Sequence, residues 1–131
     1  MPRKRSRNFT DVELEFMHII WDNDELSPEE IRKILDSNGR AIASGSIRNV
    51  LAIMSRKGYL SRRKVGKAYL YKAKVDKVNA QKSLLSDLLE NAFDCSESLM
   101  IAALLDRNEI DDFEQKEIMR LLEKHKERKN Q

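Results

Sequence analysis

Hydrophobic spacing changes character at Leu60 in this chain and changes back near Asp76. Before Leu60, apolar residues recur every three or four positions in three short segments, each with its own start or stop signal. The stretch Leu60-Ser61-Arg62-Arg63-Lys64-Val65 is different: it leads through a Gly66-Lys67 turn signal into Ala68-Tyr69-Leu70-Tyr71, which reads as a β-hairpin with a basic first strand. Three helices closed by a hairpin is the order of a winged helix-turn-helix.

Each helical segment carries its own punctuation. Thr10 with Glu13 three positions on predicts a capping box, and Leu14, Met17, Ile20 and Trp21 supply one buried face of a helix running to about Asn23. Ser27-Pro28-Glu29-Glu30 predicts a second start, with Ile31, Ile34 and Leu35 inward and a stop at Asn38-Gly39. A third helix starts near Ala43 or Ser44, turns Ile47, Val50, Leu51 and Met54 inward, and ends at Lys57-Gly58. Trp21 and Tyr71 read as core anchors.

From Asp76 onward the helical period returns in three stripes. Val78, Leu84, Leu85, Leu88, Leu89 and Phe93 form the first, Leu99, Ile101, Ala102, Leu104 and Leu105 the second, and Phe113, Ile118, Leu121 and Leu122 the third. Breaks at Asp94-Cys95-Ser96 and between Asp106 and Asp112 separate them. A tail of this length and leucine content buries itself poorly alone, so pairing with a second copy is expected, through Leu84, Leu85, Leu88, Leu89, Leu99, Leu104, Leu105, Ile118, Leu121 and Leu122. The expected organisation is a flexible basic arm over residues 1–8, a winged-helix domain over 9–74 and a helical dimerisation domain over 75–131. The fold class is mainly α.

Charge separates the halves. Residues 1–75 hold 16 Lys/Arg against 9 Asp/Glu, a net of +7, whereas residues 76–131 hold 9 against 13, a net of −4. A basic front half suits a polyanion such as double-stranded DNA, and an acidic amphipathic back half suits protein contacts. Cys95 is the single cysteine and there are two histidines, His18 and His125. Those numbers rule out an internal disulfide, make a zinc site implausible, and furnish no Ser/His/Asp or Cys/His catalytic set, so no enzyme, metal or cofactor is expected. The chain has no apolar run long enough to span a membrane and no signal-peptide pattern, so a cytoplasmic protein without membrane insertion is expected.

If the third helix turns its apolar residues inward, Ser44, Ser46, Arg48, Asn49 and Ala52 lie on or near the opposite side. Arg48 and Asn49 are the natural base readers, because Arg bonds guanine O6/N7 and Asn bonds adenine N6/N7. Ser44 and Ser46 suit phosphate contacts near the helix start. On the hairpin, Arg62, Arg63, Lys64 and Lys67 place four positive charges within six residues, which repel one another unless an anion is present. A phosphate backbone supplies it. Arg3, Lys4, Arg5 and Arg7 of the arm are further candidates for a neighbouring groove. The competing readings are a winged-helix adaptor for protein contacts and a regulator with a small-molecule pocket in the tail near Phe93 and Met100.

These stretches carry a family likeness. Thr10-Asp11-Val12-Glu13-Leu14-Glu15-Phe16-Met17 with Ile20-Trp21, Ser46-Ile47-Arg48-Asn49-Val50-Leu51, Arg56-Lys57-Gly58-Tyr59-Leu60 and Gly66-Lys67-Ala68-Tyr69-Leu70-Tyr71 together resemble the penicillinase-repressor family. That family regulates β-lactamase and methicillin-resistance genes and has copper-responsive relatives. The resemblance spans roughly residues 9–128. It implies a homodimer on a palindromic operator, third helix in the major groove, wing on the backbone and tail helices interlocked. Two positions depart from the pattern: Ile53 stands where an Arg is usual, and Ser46 replaces a common Thr. The resemblance also implies induction through a membrane sensor and proteolysis of the tail, at a bond that aligns with Ala102-Ala103; the Asn-Phe pair usual at that bond is absent here. The cysteine-rich tail of the copper-responsive relatives is absent too, which disfavours a metal inducer.

Overall fold

The computed structural model describes residues 9–130, so the basic arm over residues 1–8 lies outside the described residues. Three helices, α1 (Asp11–Trp21), α2 (Pro28–Ser37) and α3 (Ser44–Arg56), precede an antiparallel hairpin of β1 (Leu60–Val65) and β2 (Ala68–Ala73). Three more follow: α4 (Lys77–Ala92), α5 (Glu97–Asp106) and α6 (Asp112–Lys129). The architecture is a mainly helical winged helix-turn-helix with a three-helix tail.

Local chemistry sets the boundaries. Thr10 and Glu13 close a reciprocal capping box at the start of α1, and Ser27 and Glu30 close another at α2, each side chain bonding the other residue's backbone N–H. The first helix stops at Trp21, two residues short of the expected end, because the Asn23 side chain donates to the Ile19 carbonyl at 2.8 Å and satisfies an acceptor that continued helix would have used. Ser96 and Asp111 cap α5 and α6 through the backbone N–H groups of Leu99 and Glu114.

The core lies under the hairpin. Phe16, Met17, Ile20, Ile31, Leu35, Ile47, Leu51 and Met54 are fully buried, joined by Leu26, Leu60 and Tyr71. Each such side chain contributes on the order of 1.5–3 kcal/mol of transfer free energy. The inward face of α1 is rotated from the expected one. Phe16 and Ile19 are buried while Leu14 and Trp21 are half-buried, so the face runs Glu13, Phe16, Met17, Ile20, the spacing of a single helical stripe. Val50 and Ile34 also sit at the margin of the core.

Register fixes which hairpin side chains share a face. Arg62 pairs with Tyr71, Arg63 with Leu70 and Lys64 with Tyr69, and the turn is the two residues Gly66-Lys67. Gly66 takes φ 62°, the left-handed conformation that tight hairpin turns need. Leu26, between α1 and α2, adds a third row to the sheet through reciprocal hydrogen bonds with Tyr71 of 3.1 and 2.8 Å.

The chain divides into two compact units at Asp87/Leu88, inside α4. In the first, Trp21 Nε1 donates to the Val75 carbonyl at 2.9 Å, tying the end of α1 to the segment after β2. In the second, no residue of α5 or α6 is buried. No described helix is long and apolar enough to cross a membrane.

Candidate nucleic-acid interface

Inward packing of Ile47, Leu51 and Met54 turns the other side of α3 outward, and Ser44, Ser46, Arg48, Asn49 and Ala52 are all exposed. Ala43 occupies the N-cap without a side-chain hydrogen bond, so the first N–H groups of α3 meet no side-chain acceptor from the cap. Beside this face the hairpin closes a cleft of about 540 Å³, whose lining includes Arg48, Ala52, Arg62, Lys67 and Tyr69. The third helix and the wing thus converge on one basic concavity.

The cations in it are held without being neutralised. The Arg62 guanidinium lies 4.4 Å from the Tyr69 ring centroid, a cation–π contact that orients it along the strand while leaving its N–H donors open. Among the described residues, no carboxylate comes within ion-pair distance of Arg48, Arg62, Lys64 or Lys67. Glu29, also on the cleft wall, is bound by Arg32. The Arg32 hydrogen bond, with Lys33 and Arg48 adding attraction, holds its carboxyl below the usual value.

Arg63 stands apart from the other three wing cations. Strand alternation puts it on the opposite face, where its guanidinium donates to Glu25 at 2.7 and 3.0 Å. The charge run therefore does not act as one cluster: a protein carboxylate, not a missing anion, already answers Arg63.

One candidate was not legible as such from the helix ending alone. Arg56 lines a second cleft of about 340 Å³ with Ser55, and Ala52 and Arg62 line both clefts, so the two adjoin. Arg48, Ala52 and Arg56 are spaced i, i+4, i+8, the spacing of a single helix face, and this was the available signal. The Ser55 hydroxyl is buried at that wall with no hydrogen-bond partner among the described residues.

In the tail the expected pairing residues are open. Leu85, Leu88, Leu99, Leu104, Leu105, Ile118, Leu121 and Leu122 are exposed and Leu84 and Leu89 half-buried. Ala102 and Ala103 are exposed within α5. Cys95 is a free, exposed thiol, and no cluster of three potential metal ligands occurs among the described residues.

Comparison with known proteins agrees with this arrangement. The penicillinase-repressor family model matches residues 9–124. The chain is 25% identical to the penicillinase repressor of Bacillus licheniformis over 128 residues, covering 98% of this chain and 99% of that one. It is 22% identical to an uncharacterised 16.5 kDa protein from Latilactobacillus sakei, over 91% of this chain and 81% of that one. The solution structure of the DNA-binding domain of the repressor BlaI superposes with a TM-score of 0.50 at 27% identity, covering 59% of this chain and 93% of that domain. The complex structure of hsRosR-SG shares the fold at 10% identity, with a TM-score of 0.53 over 93% of this chain and 96% of that one. The chain belongs to the penicillinase-repressor family and is a transcriptional regulator of that kind.

Proposed function

We propose that the chain is a homodimeric, cytoplasmic repressor that binds a palindromic operator in duplex DNA, with α3 in the major groove and the wing along the phosphate backbone. The observation that carries this reading is the basic concavity between α3 and the hairpin, where Arg48, Arg62 and Lys67 line one cleft and none of the three is ion-paired to a described carboxylate. A cleft of like charges is unfavourable in isolation and favourable around a polyanion. The similarity to the BlaI domain, a DNA-binding domain of a repressor, supports the same use of this fold.

In this reading Arg48 and Asn49 meet base edges, Ser44 and Ser46 with the uncapped start of α3 meet phosphates, and Arg62, Lys64, Lys67 and Arg56 follow the backbone. The tail holds two reading heads about one helical turn apart, so the second head binds at high effective concentration. Repression follows from promoter occlusion. Cutting the tail at Ala102-Ala103, by a protease answering a membrane sensor, would relieve it by uncoupling the heads; the exposure of both residues supports access.

A salt titration tests the core of this. Binding to random duplex should be measurable at low salt, with log K falling linearly as log salt rises, and a palindromic site should bind more tightly than random sequence. Negligible affinity at low salt would overturn the DNA reading in favour of a protein-binding adaptor.

A further inference from the structure

The two faces of the wing sheet differ in how their cations are partnered, and Glu25, the carboxylate beside Arg63 and Lys72 on the outer face, makes the difference. Glu25 precedes Leu26, the residue that pairs with Tyr71, so it stands beside β2 on the outer side of the hairpin. From there its carboxylate reaches across β2 to β1. Oε1 accepts from Arg63 Nε at 3.0 Å, and Oε2 accepts from Nε at 3.0 Å and from Nη2 at 2.7 Å. Glu25 is only 23% exposed, so the anion is anchored while the Arg63 side chain, 62% exposed, comes to it.

On the inner side nothing comparable exists. Arg62 rests on Tyr69 and opens into the cleft with Arg48 and Lys67, with no carboxylate at ion-pair distance among the described residues. A phosphate approaching that side meets uncompensated charge. One approaching Arg63 meets a guanidinium already paired with a carboxylate, with Lys72 nearby, and must displace a two-pronged carboxylate contact to gain a single new one.

We propose that Glu25 is a positioning residue of the wing that withholds Arg63 from the phosphate backbone, so that of the four cations on β1 and its turn each wing engages DNA through Arg62, Lys64 and Lys67 and not through Arg63. This inference rests on the DNA-binding reading and assigns the wing's cations within it. Its consequence is a cap on sequence-independent affinity. Each phosphate contact adds about 0.9 to the slope of log K against log salt, or roughly 3.5-fold in affinity lost between 50 and 200 mM salt. Withholding one cation per wing lowers the affinity for random DNA without touching the base-reading face of α3.

The test is the salt slope of full-length protein on a random 30-base-pair duplex, for wild type, K67Q, R63Q, E25Q and the E25Q/R63Q double variant. Circular dichroism melts of each confirm folding, which neutral polar substitutions at these positions outside the core should preserve. The expected result is that K67Q lowers the slope by about 0.9 for each wing engaged, while R63Q leaves it at the wild-type value. E25Q releases Arg63 and steepens the slope by about the same amount, and adding R63Q cancels that gain. A purely structural role for the pair would move the melts and not the slope. An R63Q slope reduced like that of K67Q, or an E25Q slope equal to wild type, overturns the assignment to Glu25 and leaves DNA binding intact. Absence of binding by the wild type overturns both.

Discussion

Glu13 and Lys57 join the first turn of α1 to the end of α3: Lys57 Nζ donates to both Glu13 carboxylate oxygens, at 2.9 and 3.2 Å, across 44 residues of sequence. Glu13 is 4% exposed, the one buried charged side chain among the described residues. Burial by itself raises its pKa, but the Thr10 amide hydrogen bond and the Lys57 ammonium outweigh that and hold it below the usual value. A carboxyl whose folded pKa lies below its unfolded one stabilises the fold above the unfolded value, and that stability disappears as pH falls through the folded pKa. Urea unfolding should therefore show stability falling below about pH 5, and Glu13→Ala should flatten that limb while costing about 1–2 kcal/mol at neutral pH. An unchanged acid limb in the variant would show that other groups govern it.

Gly58 takes φ 85° immediately after the Lys57 C-cap, and a Cβ there would meet nothing within 4 Å. The cost of Gly58→Ala is thus backbone strain alone, about 1 kcal/mol. Because the site separates α3 from β1, thermal melts should show that loss with DNA affinity of the remaining folded protein unchanged. A loss several times larger would mean the helix-to-strand corner had moved.

How much of this was readable beforehand differs by element. Caps wrote themselves into the sequence: Thr10 with Glu13 and Ser27 with Pro28 and Glu30 are local chemistry, and the helices start where those residues say. The hairpin followed from its period and the Gly66-Lys67 turn. The inward face of α1 did not, because Leu14 and Phe16 are equally apolar and only the packing of three helices decides between them. For the same reason the four wing charges looked like one cluster. Strand alternation splits them, and the partner of Arg63 is 38 residues away, at Glu25. Arg56 was hidden by its place in a basic last turn, where the helix dipole explains a cation without any ligand.

Arg56 and Arg48 share a helix face but should fail differently when removed. Arg48 lines the first cleft in the N-terminal half of α3, with Asn49 next to it, the part of the helix that would meet base edges in the proposed complex. Arg56 lines the second cleft, which in the proposed complex follows the phosphate backbone. Arg56→Gln should weaken binding to all sequences alike and lower the salt slope by about 0.9 per head. Arg48→Ala should cost about 1–3 kcal/mol on the operator and relax preference at one base pair. Competition binding against single-base operator variants separates the two, and a uniform loss from Arg48→Ala would remove it from the base-reading set.

Trp21 offers a check on the link between the wing and α4. Its Nε1 donor meets the Val75 carbonyl, which follows β2 and precedes α4. Trp21→Phe keeps the ring contact but leaves that half-buried carbonyl without its partner, at a cost of about 1 kcal/mol in a urea melt followed by circular dichroism. Amide exchange should quicken most between Ala73 and Lys77. Faster exchange spread evenly over α1 to α3 instead would point to a lost packing contact.

The tail carries the heaviest physical argument for a second copy. Leu104 is 47% and Leu121 51% exposed, and neither α5 nor α6 buries a single residue, although both carry continuous apolar stripes. Leaving such stripes in water forfeits about 25 cal/mol for each Å² of apolar surface, and exposed patches of that extent mark interaction surfaces. Sedimentation equilibrium should find dimers of wild type at micromolar concentration and monomers of Leu104→Asp and Leu121→Asp. The monomers should retain the winged-helix fold by circular dichroism, keep the salt slope of a single head, and lose about 10²–10⁴-fold in affinity for a palindrome through the lost effective concentration. A wild-type monomer that binds the palindrome no better than a half-site would sink the dimer, whatever becomes of the wing.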